Sequence, residues 1–126
     1  MRIWLSCAIC LSLGGRAGWS HHSFAGEFDE KKPVSLRGTV TKIDWINPHV
    51  FLYLDVRDED GNVAHWTIES GSPSALSRSG WTRDFLKVGE LVTVGGFQSK
   101  DGRNYASGLQ VRRKAGAHVF APPEQK

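Results

Sequence analysis

The chain has 126 residues, 16 of them basic and 13 acidic, with 40% apolar side chains and only two cysteines, Cys7 and Cys10. Its first twenty residues have the build of a cleavable export signal: Arg2 is the positive start, Ile3 to Leu13 the apolar stretch, and Gly18 and Ser20 the small residues of a cleavage site. Cleavage there leaves 106 residues with 14 basic against 13 acidic side chains and no cysteine, which excludes a second domain, a disulfide scaffold and a strongly basic polyanion-binding surface.

The expected organisation is therefore a signal peptide over 1–20, a histidine-containing segment over 21–32, a β domain over 33–120 and a disordered tail over 121–126. The apolar stretch is too short to cross a bilayer as a helix, so we expect a periplasmic or secreted protein with no integral membrane anchor. Gly15 and Ala17 also permit a cut before Gly18, and a cut after Trp19 would leave Ser-His-His at the start. The position matters because cleavage after Ser20 makes His21 the first residue. A free α-amine beside an imidazole, with His22 next to it, is a nitrogen donor set suited to Cu(II) or Ni(II).

From Pro33 onward, β-branched and aromatic residues dominate and turn residues recur at short intervals, the pattern of a mainly β protein. Val34 to Trp45 predicts a long first strand. Val34, Leu36, Gly38 and Val40 share one face, Ile43 and Trp45 fall in the opposite phase, and a bulge or a sharp bend near Thr41 would reconcile them. Val50, Leu52, Leu54 and Val56 alternate with His49, Phe51, Tyr53 and Asp55, giving a second strand with an aliphatic core face. Asp58 to Asn62 is a turn, and Val63 to Glu69 returns as the third strand, with Asp55 opposite His65 and Phe51 opposite Glu69.

Ser72 and Pro73 begin a short helix that Gly80 ends, and Thr82 to Lys87 has room for one more turn. Leu91 to Phe97 and Tyr105 to Arg112 form a second hairpin around Asp101-Gly102. Three strands, a helix and two strands is the order of a small five-stranded OB-like barrel, although an open roll shows the same pattern.

In such a barrel the outer faces of the second and third strands form a binding platform, here carrying His49, Phe51, Tyr53, Thr67 and Glu69. Ser23 to Phe28, with two aromatics four apart, could lie across it as a lid. His49 and His65 are roughly 20 Å apart along the hairpin, too far to share a metal. His49 is the better site candidate because Glu69 is its diagonal neighbour, whereas His65 meets Asp55 at the turn end. Trp45, Asn47 and Trp81 complete the ligand-binding candidates, as a pocket beside His49. The metal candidates are His21, His22 and His49.

The chain resembles a family of small exported bacterial proteins of unknown function. The resemblance is carried by His21-His22-Ser23-Phe24-Ala25 with Glu27-Phe28-Asp29, by Gly38-Thr39-Val40, by Trp45-Ile46-Asn47-Pro48-His49, and by Gly71-Ser72-Pro73 leading to Gly80-Trp81-Thr82-Arg83. It covers residues 21 to 112 and implies export and a compact β-rich domain. It implies no activity.

No nucleophile elbow, zinc-protease or phosphate-loop sequence occurs, and no catalytic constellation emerges. The sequence therefore points to a non-enzymatic exported binding module for an unknown small ligand or periplasmic protein. A second reading is a copper protein joining the His21 amine and imidazole to His49. A third, single-stranded nucleic-acid binding, rests on fold analogy and exposed aromatics, and near-neutral charge opposes it. No nucleic-acid partner is expected.

Overall fold

One long strand, β1 (Phe28–Asp44), organises the computed structural model, which describes residues 24–108 and 110–113. Residues 1–20, which the sequence reading takes as a signal peptide, His21, His22 and residues 121–126 lie outside the described residues. β1 serves two partners because it is long and bent. Its first part pairs antiparallel with β4 (Leu91–Ser99), from Pro33↔Phe97 to Thr39↔Leu91. Its second part pairs antiparallel with β2 (Phe51–Arg57), from Gly38↔Val56 to Asp44↔Phe51. The register slips between Val40 and Lys42, so the phase change in the sequence is a bulge at Thr41.

β2 and β3 (Val63–Glu69) form the expected hairpin, with Phe51↔Glu69, Asp55↔His65 and Arg57↔Val63 in register. Asp58 sets the turn, accepting the Asn62 amide at 2.8 Å, while Gly61 adopts φ 85°. Backbone bonds between Val50 and Ser70 (2.8 Å) and between Val50 and Gly71 (3.0 Å) extend the ladder beyond the strands and bring His49 to the edge of the sheet.

Helix α2 (Pro73–Arg78) is capped as its sequence dictates. Ser72 Oγ accepts the Ala75 amide at 3.2 Å, and Pro73 occupies the first turn, where no amide donor is needed. The helix sends Leu76 into the core. The expected extra turn over Thr82 to Lys87 is a single hydrogen-bonded turn, Phe85 N to Thr82 O at 3.0 Å.

The predicted fifth strand is divided into β5 (Tyr105–Ser107) and β6 (Gln110–Arg113). β5 lies parallel to β3, with Thr67↔Tyr105 and Glu69↔Ser107, and touches β4 at Gln98↔Ala106. β6 then follows β4 from Gly95↔Gln110 to Val92↔Arg113. The circuit β1-β2-β3-β5-β4 and back to β1 closes a five-stranded OB-like barrel. Gly96 makes the crossing of β5 over β4 possible: a Cβ there would stand 1.6 Å from the Ser107 carbonyl oxygen.

The barrel interior holds Leu36, Val40, Val50, Leu52, Leu54, Ile68, Val92, Val94, Ala106 and Val111, joined by Leu76, Trp81 and Leu86. Val40, Val50, Ile68 and Val94 are wholly inaccessible, so their burial stabilises the fold by about 1.5–3 kcal/mol each. β1 begins at Phe28 rather than Val34. The charged run Asp29 to Lys32 hides that start in the sequence, and buried Phe28, opposite Ser99, anchors it. Ahead of it, the single-turn α1 (Phe24–Glu27) is tied to the end of β4 by Lys100, whose amide donates to Glu27 O at 2.9 Å.

Candidate functional site

Because aliphatic side chains fill the inside of the barrel, the alternate residues of β1, β2, β3 and β5 face outward, in two cross-strand rows. Asp44, Phe51 and Glu69 form one; Lys42, Tyr53, Thr67 and Tyr105 form the other. Phe51, Tyr53, Thr67, Glu69 and Tyr105 are all half-buried, more covered than an ordinary solvated face.

Glu69 is the hub. Its Oε1 lies 2.5 Å from His49 Nδ1, and its Oε2 accepts the hydroxyl of Tyr105. The carboxylate can only accept, so the proton sits on Nδ1 and the other imidazole nitrogen, Nε2, is left available to a ligand. Burial above all, and then the hydrogen bond to Glu69, pushes the Tyr105 hydroxyl far above the usual tyrosine range and keeps it a donor. Tyr105 is further held by Phe28, stacked at 5.6 Å and 18°, and by the Arg103 guanidinium 5.3 Å from its ring centre.

The other side of the face repeats this arrangement. Tyr53 donates to Asp44 Oδ2 at 3.0 Å, and the same oxygen meets Lys42 Nζ at 3.0 Å, with the ammonium 5.1 Å from the Tyr53 ring centre. Burial first, then the bond to Asp44, raises the Tyr53 hydroxyl. The hydrogen bond from Lys42 holds the Asp44 carboxyl below the usual carboxylate range, and the same bond raises the Lys42 ammonium. Phe51 and Thr67 therefore sit between two tyrosine–carboxylate pairs.

The structure places the remaining candidates as follows. Asn47 is exposed, next to a cis Asn47–Pro48 peptide bond. Trp45 packs partly buried against the core. Trp81 is 3% exposed, lies against Phe85 at 4.5 Å, and belongs to the core rather than to the surface beside His49. The lid segment packs to one side of the expected place. Phe24 and Phe28 meet each other at 5.3 Å, Phe24 meets Phe97 at 6.0 Å, and contact with the outer face runs through Tyr105. His65 pairs with Asp55 at 2.6 Å, and its side chain is 83% exposed.

Sequence reasoning missed Tyr105, Asp44 and Lys42. The outward phase of Tyr105 was readable beside Ala106, but its neighbour across the sheet was not, because a parallel pairing has no hairpin turn to fix it. Among the described residues no three His, Cys, Asp or Glu side chains form a metal-competent group, and no helix is long and apolar enough to cross a membrane.

The chain belongs to DUF6152, a family of unknown function, whose pattern matches residues 9–110. No curated protein matches the sequence. In fold it is similar to the mitochondrial single-stranded DNA-binding protein Rim1 of S. cerevisiae, with a TM-score of 0.52 and 11% identity over 71% of this chain and 98% of that one. It is likewise similar to part of the ZRD-deleted mutant of TiaS solved in complex with agmatine, with a TM-score of 0.53 and 17% identity over 75% of this chain and 27% of that one. At such identities the likeness is one of fold alone.

Proposed function

We propose that this protein is an exported, non-enzymatic binding module whose ligand or partner engages the outer face of β1, β2, β3 and β5. The observation that carries the reading is the ordered, half-buried row of aromatic and polar side chains centred on Phe51 and Glu69, outside a barrel whose core is already complete. Such a surface on a small domain marks a contact site. Export rests on the composition of residues 1–20. Carboxylates at Asp44 and Glu69, together with a near-neutral mature charge, oppose a phosphodiester backbone on this face, so we do not carry the DNA binding of the yeast neighbour across.

The test is affinity capture from periplasmic extract with the exported, processed protein and two variants. His49→Ala alters the site, and Arg37→Ala, exposed on the part of β1 paired with β4, is the control. Capture lost with His49→Ala and kept with Arg37→Ala supports the reading. The same captured set with both variants sinks it.

One observation favours copper binding as a second reading. Glu69 meets His49 at Nδ1, so a neutral His49 carries its proton there and has Nε2 as its donor nitrogen, the way a carboxylate behind a metal-binding histidine prepares it. His49 would join the amine and imidazole of His21, with His22 beside them; bound copper would supply redox or Lewis-acid chemistry. Cu(II) paramagnetic resonance on the processed protein decides it: the nitrogen-rich signal should change with His49→Ala and persist with His65→Ala. An identical signal in both removes His49 from the metal site.

A further inference from the structure

On a different outer face of the barrel, where β4 runs between the first part of β1 and β6, we propose a site for a single phosphate group, free or carried by a small soluble phosphomonoester. Register places Arg37, Thr93 and Arg112 in one cross-strand row and Ser35, Gly95 and Gln110 in the next. The row that alternates with them, Leu36, Val94 and Val111, is buried in the core. By parity, both polar rows point outward.

Arg37 and Arg112 are exposed, and neither guanidinium has a hydrogen bond or an ion pair among the described residues. The carboxylates on the surrounding strands are engaged elsewhere. Asp55, which lies across Thr39, meets His65 at 2.6 Å, and Glu90, just ahead of β4, meets Arg113 at 2.6 Å. Neither polar row contains an acidic residue. Two fixed positive charges therefore stand in line on this face with no counter-ion from the protein.

Spacing selects the kind of anion. Adjacent strands are about 4.8 Å apart, so the Cα atoms of Arg37 and Arg112 stand about 10 Å apart with Thr93 between them. A tetrahedral oxyanion held by two guanidinium forks places its centre about 4 Å from each Cζ, so the two arginines need lean together by only about 1 Å each. A carboxylate offers one bidentate edge and occupies one fork; a phosphate offers several edges and a second negative charge, and can occupy both. The half-buried Thr93 adds a hydroxyl donor beneath the anion. Two arginines suit one phosphate group, whereas a polyanion needs a longer basic track.

The test is an amide-detected NMR titration of the processed protein with sodium phosphate, and separately with sodium acetate, at one ionic strength held by sodium chloride. Phosphate should shift the Arg37, Thr93 and Arg112 amides, with acetate at least about tenfold weaker. Arg112→Gln, at an exposed position, should weaken phosphate about tenfold or more at unchanged thermal stability. If that variant fails to fold, the comparison of the two salts on the unaltered protein still decides. Equal shifts with phosphate and acetate, silence at tens of millimolar phosphate, or phosphate binding untouched by Arg112→Gln each overturns the proposal. So does sedimentation with phosphatidic acid vesicles without any response to free phosphate, because the face would then recognise a lipid surface. Arg37→Ala should lose phosphate and still keep the affinity capture that runs through Phe51 and Glu69, so the two sites fail separately.

Discussion

Replacing Tyr105 by phenylalanine removes one oxygen atom and leaves the ring stacked on Phe28 at 5.6 Å, so it isolates the hydroxyl donated to Glu69. A hydrogen bond to an ionised acceptor contributes about 1.5–3 kcal/mol. The Glu69 side chain keeps 14% of its exposure, so water replaces part of the loss and we expect the low end, about 1.5 kcal/mol. For a domain of this size that corresponds to a fall in Tm of about 6–12 °C. Tyr105→Leu also removes the stacked ring and should cost about 1 kcal/mol more. Urea unfolding of the processed protein, followed by fluorescence of the partly buried Trp45 and Trp66 and the buried Trp81, measures all three. Glu69→Gln and the double variant close a thermodynamic cycle whose coupling energy should reach about 1 kcal/mol. A Tyr105→Phe protein within about 0.3 kcal/mol of the parent, or a coupling energy near zero, refutes Glu69 as the hub of the face.

Three further outcomes follow from the geometry. Gly96→Ala places a methyl group 1.6 Å from the Ser107 carbonyl oxygen and should yield no folded protein by circular dichroism; a native spectrum would mean that β5 does not cross β4 as described. Ser72→Ala should cost about 1 kcal/mol by removing the acceptor of the Ala75 amide, and an unchanged urea midpoint would discount the cap. Tyr105 titrates near its ordinary value of 10.0 in the unfolded chain but stays protonated in the fold, where burial and then Glu69 raise it. The folded state thus holds more protons above that pH, so this contribution is complete below about pH 10 and is lost as pH rises. Unfolding midpoints taken from about pH 8 upward should show the decline, and Tyr105→Phe should flatten it; an equal decline in both would assign it to other groups.

The local lessons of the sequence survived folding because each is written in contiguous residues. The phase slip between Val40 and Ile43 had to become a bulge, since a strand with period two cannot otherwise bury both sets. Asp58 to Asn62 fixed the hairpin register, and with it the meeting of His49 and Glu69 across neighbouring strands. Ser72-Pro73 fixed the helix start through one side-chain acceptor and one missing donor.

What the chain did not reveal locally is what joins distant segments. Trp81 reads as a pocket-lining aromatic beside Trp45, and only the packing of Leu76, Trp81 and Leu86 with the aliphatic residues of the barrel puts it in the core. The division of the last strand at Gly108 follows from its change of partner from β3 to β4, which no neighbouring residue announces. Alternation by itself determined the aliphatic core face and the outward placement of Phe51, Tyr53 and Glu69, because side-chain direction in a strand is set by parity. Only the tertiary structure decided that Tyr105 and Phe28 complete the face, because a parallel strand pairing and a long-range ring stack depend on barrel closure, whose register no local turn encodes.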